Sequence, residues 1–377
     1  MAFQQELDQI IDEIVAPQAA ETDQLARFPR PAMDALAKAG ILSLTINEEY
    51  GGRGGSLRDA AYVVRRLSRA CGSTAMVVMM HYSAIAALAA AGRSDELADI
   101  ASCGALSTLA FSEHGSRSHF WAPMSSATAA DDGVVLNASK SWVTAAHEAD
   151  SFVWSSRPVA ASGPMSLWFV PSGSPGLAVT GSFDGMGLRG NDSCPMTAQD
   201  VSVPASALLG DDGSGLDLAL TAVLPTFLVL NASASIGLME AVTDETVGHL
   251  RNARFDHLNQ SLAQQSGQRA AAAQMRIDTD RTAALVDSAL TAIEQGDERA
   301  QLLVLEVKAA ADESAAGTAD LAMKTCGGAA FRKELGIERR FRDSRAARVM
   351  APTTAALQDF VGRALCGLPL LDGAGAQ

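Results

Sequence analysis

The chain has 377 residues, 48% hydrophobic and only 19% charged, enough to bury a large core arranged as two or three packed units. Its 29 basic and 43 acidic residues give a formal charge of −14, which on long-range field alone argues against nucleic acid and anionic membranes as partners. A local basic patch that holds a phosphate is compatible with this balance.

The opening stretch has no basic residue before Arg27, and its apolar positions Phe3, Leu7, Ile10 and Ile14 recur at helical spacing. An amphipathic helix is expected there, not a signal peptide. Pro31 opens and Gly40 closes a second helix over PAMDALAKAG. The run Glu48 to Gly55 breaks the helical pattern, which resumes at Leu57. Two uncharged runs, Cys71 to Gly92 and Leu218 to Met239, are long enough to span a bilayer, which takes about 20 residues. Both mix polar residues into Ala, Ser and Met, the composition of helices packed in a large soluble core, so buried helices are expected. His81, in the first run, reads as a satisfied core histidine or a hydrogen-bond partner beside a cofactor. Cys71, Cys103, Cys194, Cys326 and Cys366 are odd in number and form no CxxC pair, which points to reduced thiols in a cytoplasmic protein.

Between 111 and 208 the texture changes. All four tryptophans, Trp121, Trp142, Trp154 and Trp168, fall here. Short β-branched and aromatic runs (Val134 to Leu136, Trp142 to Thr144, Phe152 to Trp154, Leu167 to Val170) are divided by turn signals at Asp131-Asp132-Gly133 and Ser172 to Gly176. An antiparallel β-domain is expected. After Pro204 helical spacing returns. The expected units are a helical domain over 1–110, a β-domain over 111–208 and a helical bundle over 209–377.

Several local runs then line up. They are Asn47 to Gly52 (NEEYGG), Leu109 to Glu113 (LAFSE), Leu136 to Thr144 (LNASKSWVT), Met186 to Gly190 (MGLRG), Asp200 to Ala205 (DVSVPA) and Gly327-Gly328, with Arg254 between the last two. In this order and over some 300 residues they resemble the motifs of the acyl-CoA dehydrogenase family. The resemblance implies an α+β, mostly α, fold: an N-terminal helical domain, a middle antiparallel β-barrel and a C-terminal four-helix bundle. It implies FAD, held by Phe111, Ser112, Ser118, Trp142, Thr144, Arg254, Gly327, Gly328 and Thr353 and shared across the interface of a homodimer or homotetramer. An acyl-CoA or other thioester is the implied substrate.

The residue chemistry is compatible with this. A flavin needs a flat face, a donor near N5 and O4, and amides at its pyrimidine edge. Trp142 offers an aromatic surface, and Thr144, two residues on in the same strand, a hydroxyl on the same face. A core tryptophan beside a β-forming threonine is the plainer reading of that pair alone. Arg254 reads as a solvated helix charge or a diphosphate contact, and Gly327-Gly328 as a helix end or a close approach to the cofactor. Arg332, Lys333, Arg339, Arg340, Arg342, Arg345 and Arg348 form either a phosphate-holding patch or a charged face paired with Glu334, Glu338 and Asp343.

The departures from the family concern the reaction. Its glutamate base, which removes the α-proton of the thioester, has Ala351 in its place within Met350-Ala351-Pro352-Thr353. The family's other base position falls at Phe227, and Leu218 to Met239 contains no carboxylate. Arg254 to Leu258 lacks the family's Phe-Gly, and the loop Ser112 to His119 carries His114 and His119 in place of proline and aspartate. A positioned base is worth about 10²–10⁴ in rate, so either it has moved, with His119 and Glu113 the nearby candidates, or the reaction has changed. Family members that lack the glutamate include flavin-dependent hydroxylases and N-oxygenases that use O2. Three readings follow: an O2-using oxygenase or oxidase in specialised metabolism, fed by a flavin reductase or electron-transfer partner; a dehydrogenase with a relocated base; and a non-catalytic binding protein.

Overall fold

The structure, a computed structural model, describes residues 2–117 and 119–371. Helices α1 (Ala2–Ile10) and α2 (Ala16–Gln24) are joined by a π-helical turn, Ile11–Val15, into one rod. Phe3, Leu7, Ile11, Val15 and Ala19 are buried, a repeat of four residues. A regular helix turns every 3.6 residues and would drift off that stripe; the wider π turn takes up the slack. Ile10 and Ile14, expected on the stripe, flank it half-buried.

Helix α3 (Arg30–Lys38) has Pro31 in its first turn, and Gly40 ends it at φ +61°, with Ile41 N donating to Leu36 O at 2.8 Å. Helices α4 (Leu57–Ala70), α5 (Gly72–Ala90) and α6 (Ser94–Cys103) complete the first unit. Ser56 caps α4 reciprocally with Asp59.

The β-domain consists of two four-stranded sheets. One has the order β1 (Ser107–Ala110), β4 (Ser151–Ser156), β5 (Ser166–Pro171), β8 (Leu208–Leu209). The other runs β2 (Ser126–Ala130), β3 (Gly133–Val143), β7 (Cys194–Val203), β6 (Leu177–Val179). The antiparallel expectation fails at one pair, because β1 and β4 are parallel. After β1 the chain crosses to the other sheet, makes the β2–β3 hairpin, and returns beside β1 in the same direction. The first strand also begins at Ser107, ahead of the boundary expected at 111. Trp154 and Trp168 are buried between these elements.

The last unit holds α7 (Gly215–Leu218), a π turn, α8 (Leu224–Asn252), α9 (Ser266–Gln295), α10 (Ala300–Cys326), α11 (Ile337–Val349) and α12 (Thr354–Leu365). A small hairpin, β9 (Arg254–Phe255) with β10 (Gln260–Ser261), interrupts the expected run of helix. Among the described residues, two helices are apolar and long enough to cross a membrane, and 83% and 78% of their most apolar windows are buried inside the fold. Helix α8 crosses α4 closely enough that a Cβ on Gly237 would sit 2.2 Å from Arg65 O, so only glycine allows this crossing.

Helix α11 ties the three units together. Arg342 bonds Asp23 at 2.6 Å and Met186 O at 2.9 Å, and Leu188 N donates to Asp343 at 2.6 Å. A Cβ on Gly187 would lie 2.6 Å from the Arg342 carbonyl carbon. The MGLRG run is thus packed backbone to backbone against α11.

Candidate active site

Where the three units meet there is a cavity of about 730 Å³, within the ~300–1,000 Å³ usual for small-molecule sites. Met76 and Met80 of α5 line it, with Phe111 and Ser112 after β1, Trp142 and Thr144 at the end of β3, Asn191 and Ser193 before β7, Phe227 of α8, and Met350 to Pro352 after α11.

Trp142 is the conspicuous member. The β3–β7 ladder is irregular between Lys140 and Val143, and Trp142 takes a left-handed backbone, φ +59°. Its ring is 68% exposed and touches Phe183 edge-on, with centroids 6.3 Å apart. A tryptophan with positive φ is strained, typically by about 1–3 kcal/mol, and such strain collects at ligand sites. Thr144 lies just beyond the strand, not within it as expected, and its hydroxyl is 3.1 Å from that of Ser193. The bulge, rather than simple alternation, brings both residues to the cavity.

Glu113 lines the cavity but is not a free base. Its buried carboxylate meets Lys140 Nζ at 2.5 Å and accepts from Met124 N at 2.6 Å and Ser125 N at 2.9 Å. Burial alone would raise its pKa, but the Lys140 charge and these donors hold it below the usual carboxylate range. Burial lowers Lys140 to about 8 against the pull of Glu113; its ammonium also donates to Ser155 O at 2.7 Å. With the Ser125 hydroxyl donating as well, the carboxylate has its lone pairs committed to four donors and is a structural group.

His119 is exposed and does not line the cavity. Its Nδ1 donates to Ser116 O at 3.2 Å and its ring meets Trp121 edge-on. The loop turns His114 and Arg117 to the cavity instead. Ser118 lies outside the described residues. Thr353 caps α12 by accepting from Ala356 N at 3.3 Å and does not line the cavity. Nor do Arg254, which bonds Asn259 on the β9–β10 hairpin at 2.9 Å, or Gly327 and Gly328, which follow α10. His81 is a satisfied core histidine: Ser107 N donates to Nδ1 and Nε2 donates to Leu42 O, each at 3.0 Å.

Both expected base positions face the same space. Ala351 lines it from the turn after α11 and Phe227 from the first turn of α8. The turn is held from behind by Lys308, fully buried, which donates to Asp312 and Ala347 O at 2.8 Å and to Pro352 O at 3.1 Å. Four of the five arginines on α11 are paired with carboxylates, and the fifth, Arg339, donates to Ala70 O at 3.5 Å. Arg340 pairs with Glu245, Arg342 with Asp23 and Glu338, Arg345 with Asp320 and Arg348 with Glu313. Asp343, expected to pair with that cluster, instead accepts from Leu188 N, and burial raises it to about 6.

Residues 1–98, 108–201 and 213–366 match, in turn, the models of the N-terminal, middle and C-terminal domains of acyl-CoA dehydrogenase. The chain belongs to the acyl-CoA dehydrogenase family. It is 27% identical over 359 residues to cyclohex-1-ene-1-carbonyl-CoA dehydrogenase of Syntrophus aciditrophicus, covering 93% of this chain and 86% of that one. Butyryl-CoA dehydrogenase of Megasphaera elsdenii superposes with a TM-score of 0.91 at 21% identity, over 97% of both chains. The prolyl acyl carrier protein oxidase AnaB does so with 0.87 at 18% identity, over 97% of this chain and 98% of that one.

The cofactor of the family is FAD, and this acyl-CoA dehydrogenase family member offers what a flavin needs. Trp142 presents an uncovered flat face, and Ser112, Thr144 and Ser193 provide hydroxyls on the cavity wall. Met76, Met80 and Phe183 were not found by motif reading. Nothing local marks a methionine on a buried helix as a cavity residue.

Proposed function

We propose that this protein is a FAD-dependent oxidoreductase of an acyl-CoA or carrier-bound thioester that works as an O2-using oxygenase or oxidase in specialised metabolism. The observation that carries the reading is the pair Ala351 and Phe227, both on the cavity and neither able to accept a proton. The cavity's carboxylate, Glu113, is neutralised by Lys140. When bound, FAD accepts electrons from a substrate and, reduced, reacts with O2. The chain's own part is to present the Trp142 face, to offer the Thr144 and Ser193 hydroxyls, and to exclude water with Met76, Met80, Leu109 and Phe227. The AnaB fold match is compatible with carrier-bound as well as CoA thioesters.

Arg254 and Gly327-Gly328 lie off the cavity of their own chain, which supports a flavin site completed by a second subunit in a homodimer or homotetramer. Five free cysteines agree with a cytoplasmic setting.

A second reading, a dehydrogenase with a relocated base, is favoured by His114 on the cavity wall. The deciding experiment incubates the flavin-loaded protein with a thioester panel, with and without a reducing system and O2, following oxygen uptake and product mass. Oxygen-dependent product supports the proposal. Rapid dehydrogenation of a saturated acyl-CoA with an artificial acceptor, lost in His114→Ala, overturns it.

A further inference from the structure

Behind the wall that carries Thr144 and Ser193 three metal-binding side chains converge. Asn191 and Ser193 line the cavity, while the intervening Asp192 and the following Cys194 do not. His147, from the turn after β3, meets them: its Nδ1 lies 2.9 Å from Asp192 Oδ1 and 3.9 Å from Cys194 Sγ, and Sγ lies 3.2 Å from the same Oδ1. The three donor atoms are within 4.8 Å of one another.

The geometry points to a divalent-metal site at His147, Asp192 and Cys194, of the class that takes Zn²⁺. A point about 2.0–2.1 Å from N and O and about 2.3 Å from S, the usual zinc distances, can be reached above a triangle of this size. One thiolate, one carboxylate and one neutral imidazole balance the ion's charge. Thiolate with imidazole selects Zn²⁺ over Mg²⁺ or Ca²⁺. Three protein ligands leave a fourth position for water, and the His147 side chain, 53% exposed, puts that position at the surface.

Without an ion, Asp192 Oδ1 receives both the Cys194 S–H and the His147 Nδ1–H. Burial first, then the Asp192 carboxylate, raise the thiol to about 12, so it is protonated. Metal binding replaces the two protons that share this oxygen: the thiol proton leaves to solvent and the imidazole proton sits on Nε2, freeing Nδ1 to ligate. Asp192 Oδ2 already accepts from His147 N at 2.7 Å, which aims the carboxylate. The ion would pin the turn after β3 to the start of β7, the two segments whose hydroxyls meet at Thr144 and Ser193. This does not depend on which reaction the cavity performs.

The test uses the flavin-loaded protein carrying Cys103→Ser and Cys366→Ser, which removes the two exposed thiols. It is stripped with chelator, dialysed against Zn²⁺, and examined by metal analysis and zinc X-ray absorption, which does not see the flavin. One Zn²⁺ per chain with one sulfur neighbour, and affinity at least about a hundredfold weaker in both His147→Ala and Cys194→Ala, is expected. If Cys194→Ala fails to fold, the half-exposed His147→Ala decides alone. No retained zinc, zinc without a sulfur neighbour, or zinc retained unchanged in His147→Ala overturns the assignment.

Discussion

Lys140 Nζ lies 2.5 Å from Glu113 Oε1, with both side chains buried at the edge of the cavity. Removing one partner of such a pair leaves an uncompensated charge, which costs about 3–5 kcal/mol. Glu113→Gln should therefore lower the thermal midpoint clearly. The double change Glu113→Leu with Lys140→Met should recover most of that loss. If Glu113→Gln keeps wild-type stability and abolishes turnover, Glu113 is a base after all.

Trp142 separates stability from binding. Its ring is mostly exposed, so Trp142→Ala should leave the fold intact. Loss of a stacking face worth about 1–3 kcal/mol should weaken FAD by about fivefold to a hundredfold. Trp142→Gly also relieves the left-handed backbone at φ +59° and should raise the thermal midpoint of the apoprotein while weakening FAD as much. Thr144→Ala should shift the flavin potential or spectrum. Unchanged flavin titrations in all three variants would remove this strand from the cofactor site.

Ala351 predicts what the wild type does not do. Saturated straight-chain acyl-CoAs should show little reduction of an artificial acceptor. Ala351→Glu or Phe227→Glu should raise that rate, by up to about 10²–10⁴ where the carboxylate reaches the α-proton. Stopped-flow bleaching of the flavin under anaerobic conditions measures it directly. Fast wild-type bleaching by butyryl-CoA contradicts the expectation.

His81 sets a pH dependence whose sign is fixed by burial, which lowers it to about 4 from an ordinary 6.5. The folded state then binds fewer protons than the unfolded state between those values, so its contribution is present above pH 6.5 and is lost as pH falls through 4. The full effect is about 3 kcal/mol. Asp343, raised to about 6 from 3.8, acts oppositely and adds stability as pH falls through that window. Relative to the wild type, His81→Gln should therefore gain stability as pH falls from 6.5 to 4. Parallel curves for the two proteins would contradict this sign.

Much of the architecture was legible from local patterns. Period-3.6 and period-2 runs, the Pro31 and Gly40 punctuation and the Asp131-Asp132-Gly133 turn depend on neighbours only, so helix, sheet and helix could be read in order. The missing carboxylates at Ala351 and throughout Leu218 to Met239 are equally local facts. What only the tertiary structure decided is which side chains share the cavity and what state they are in. Glu113 reads as a candidate base until Lys140, from another strand, takes up its charge in a buried pair. His114 and not His119 reaches the cavity, in a loop whose backbone at Glu113 forms isolated β-bridges with Arg117 and Lys140. Trp142 and Thr144 meet the cavity through a bulge created by pairing with β7, which alternation along one strand does not foresee. Burial, partner charge and register are properties of segments far apart in the chain, and they exist only once the chain has closed on itself.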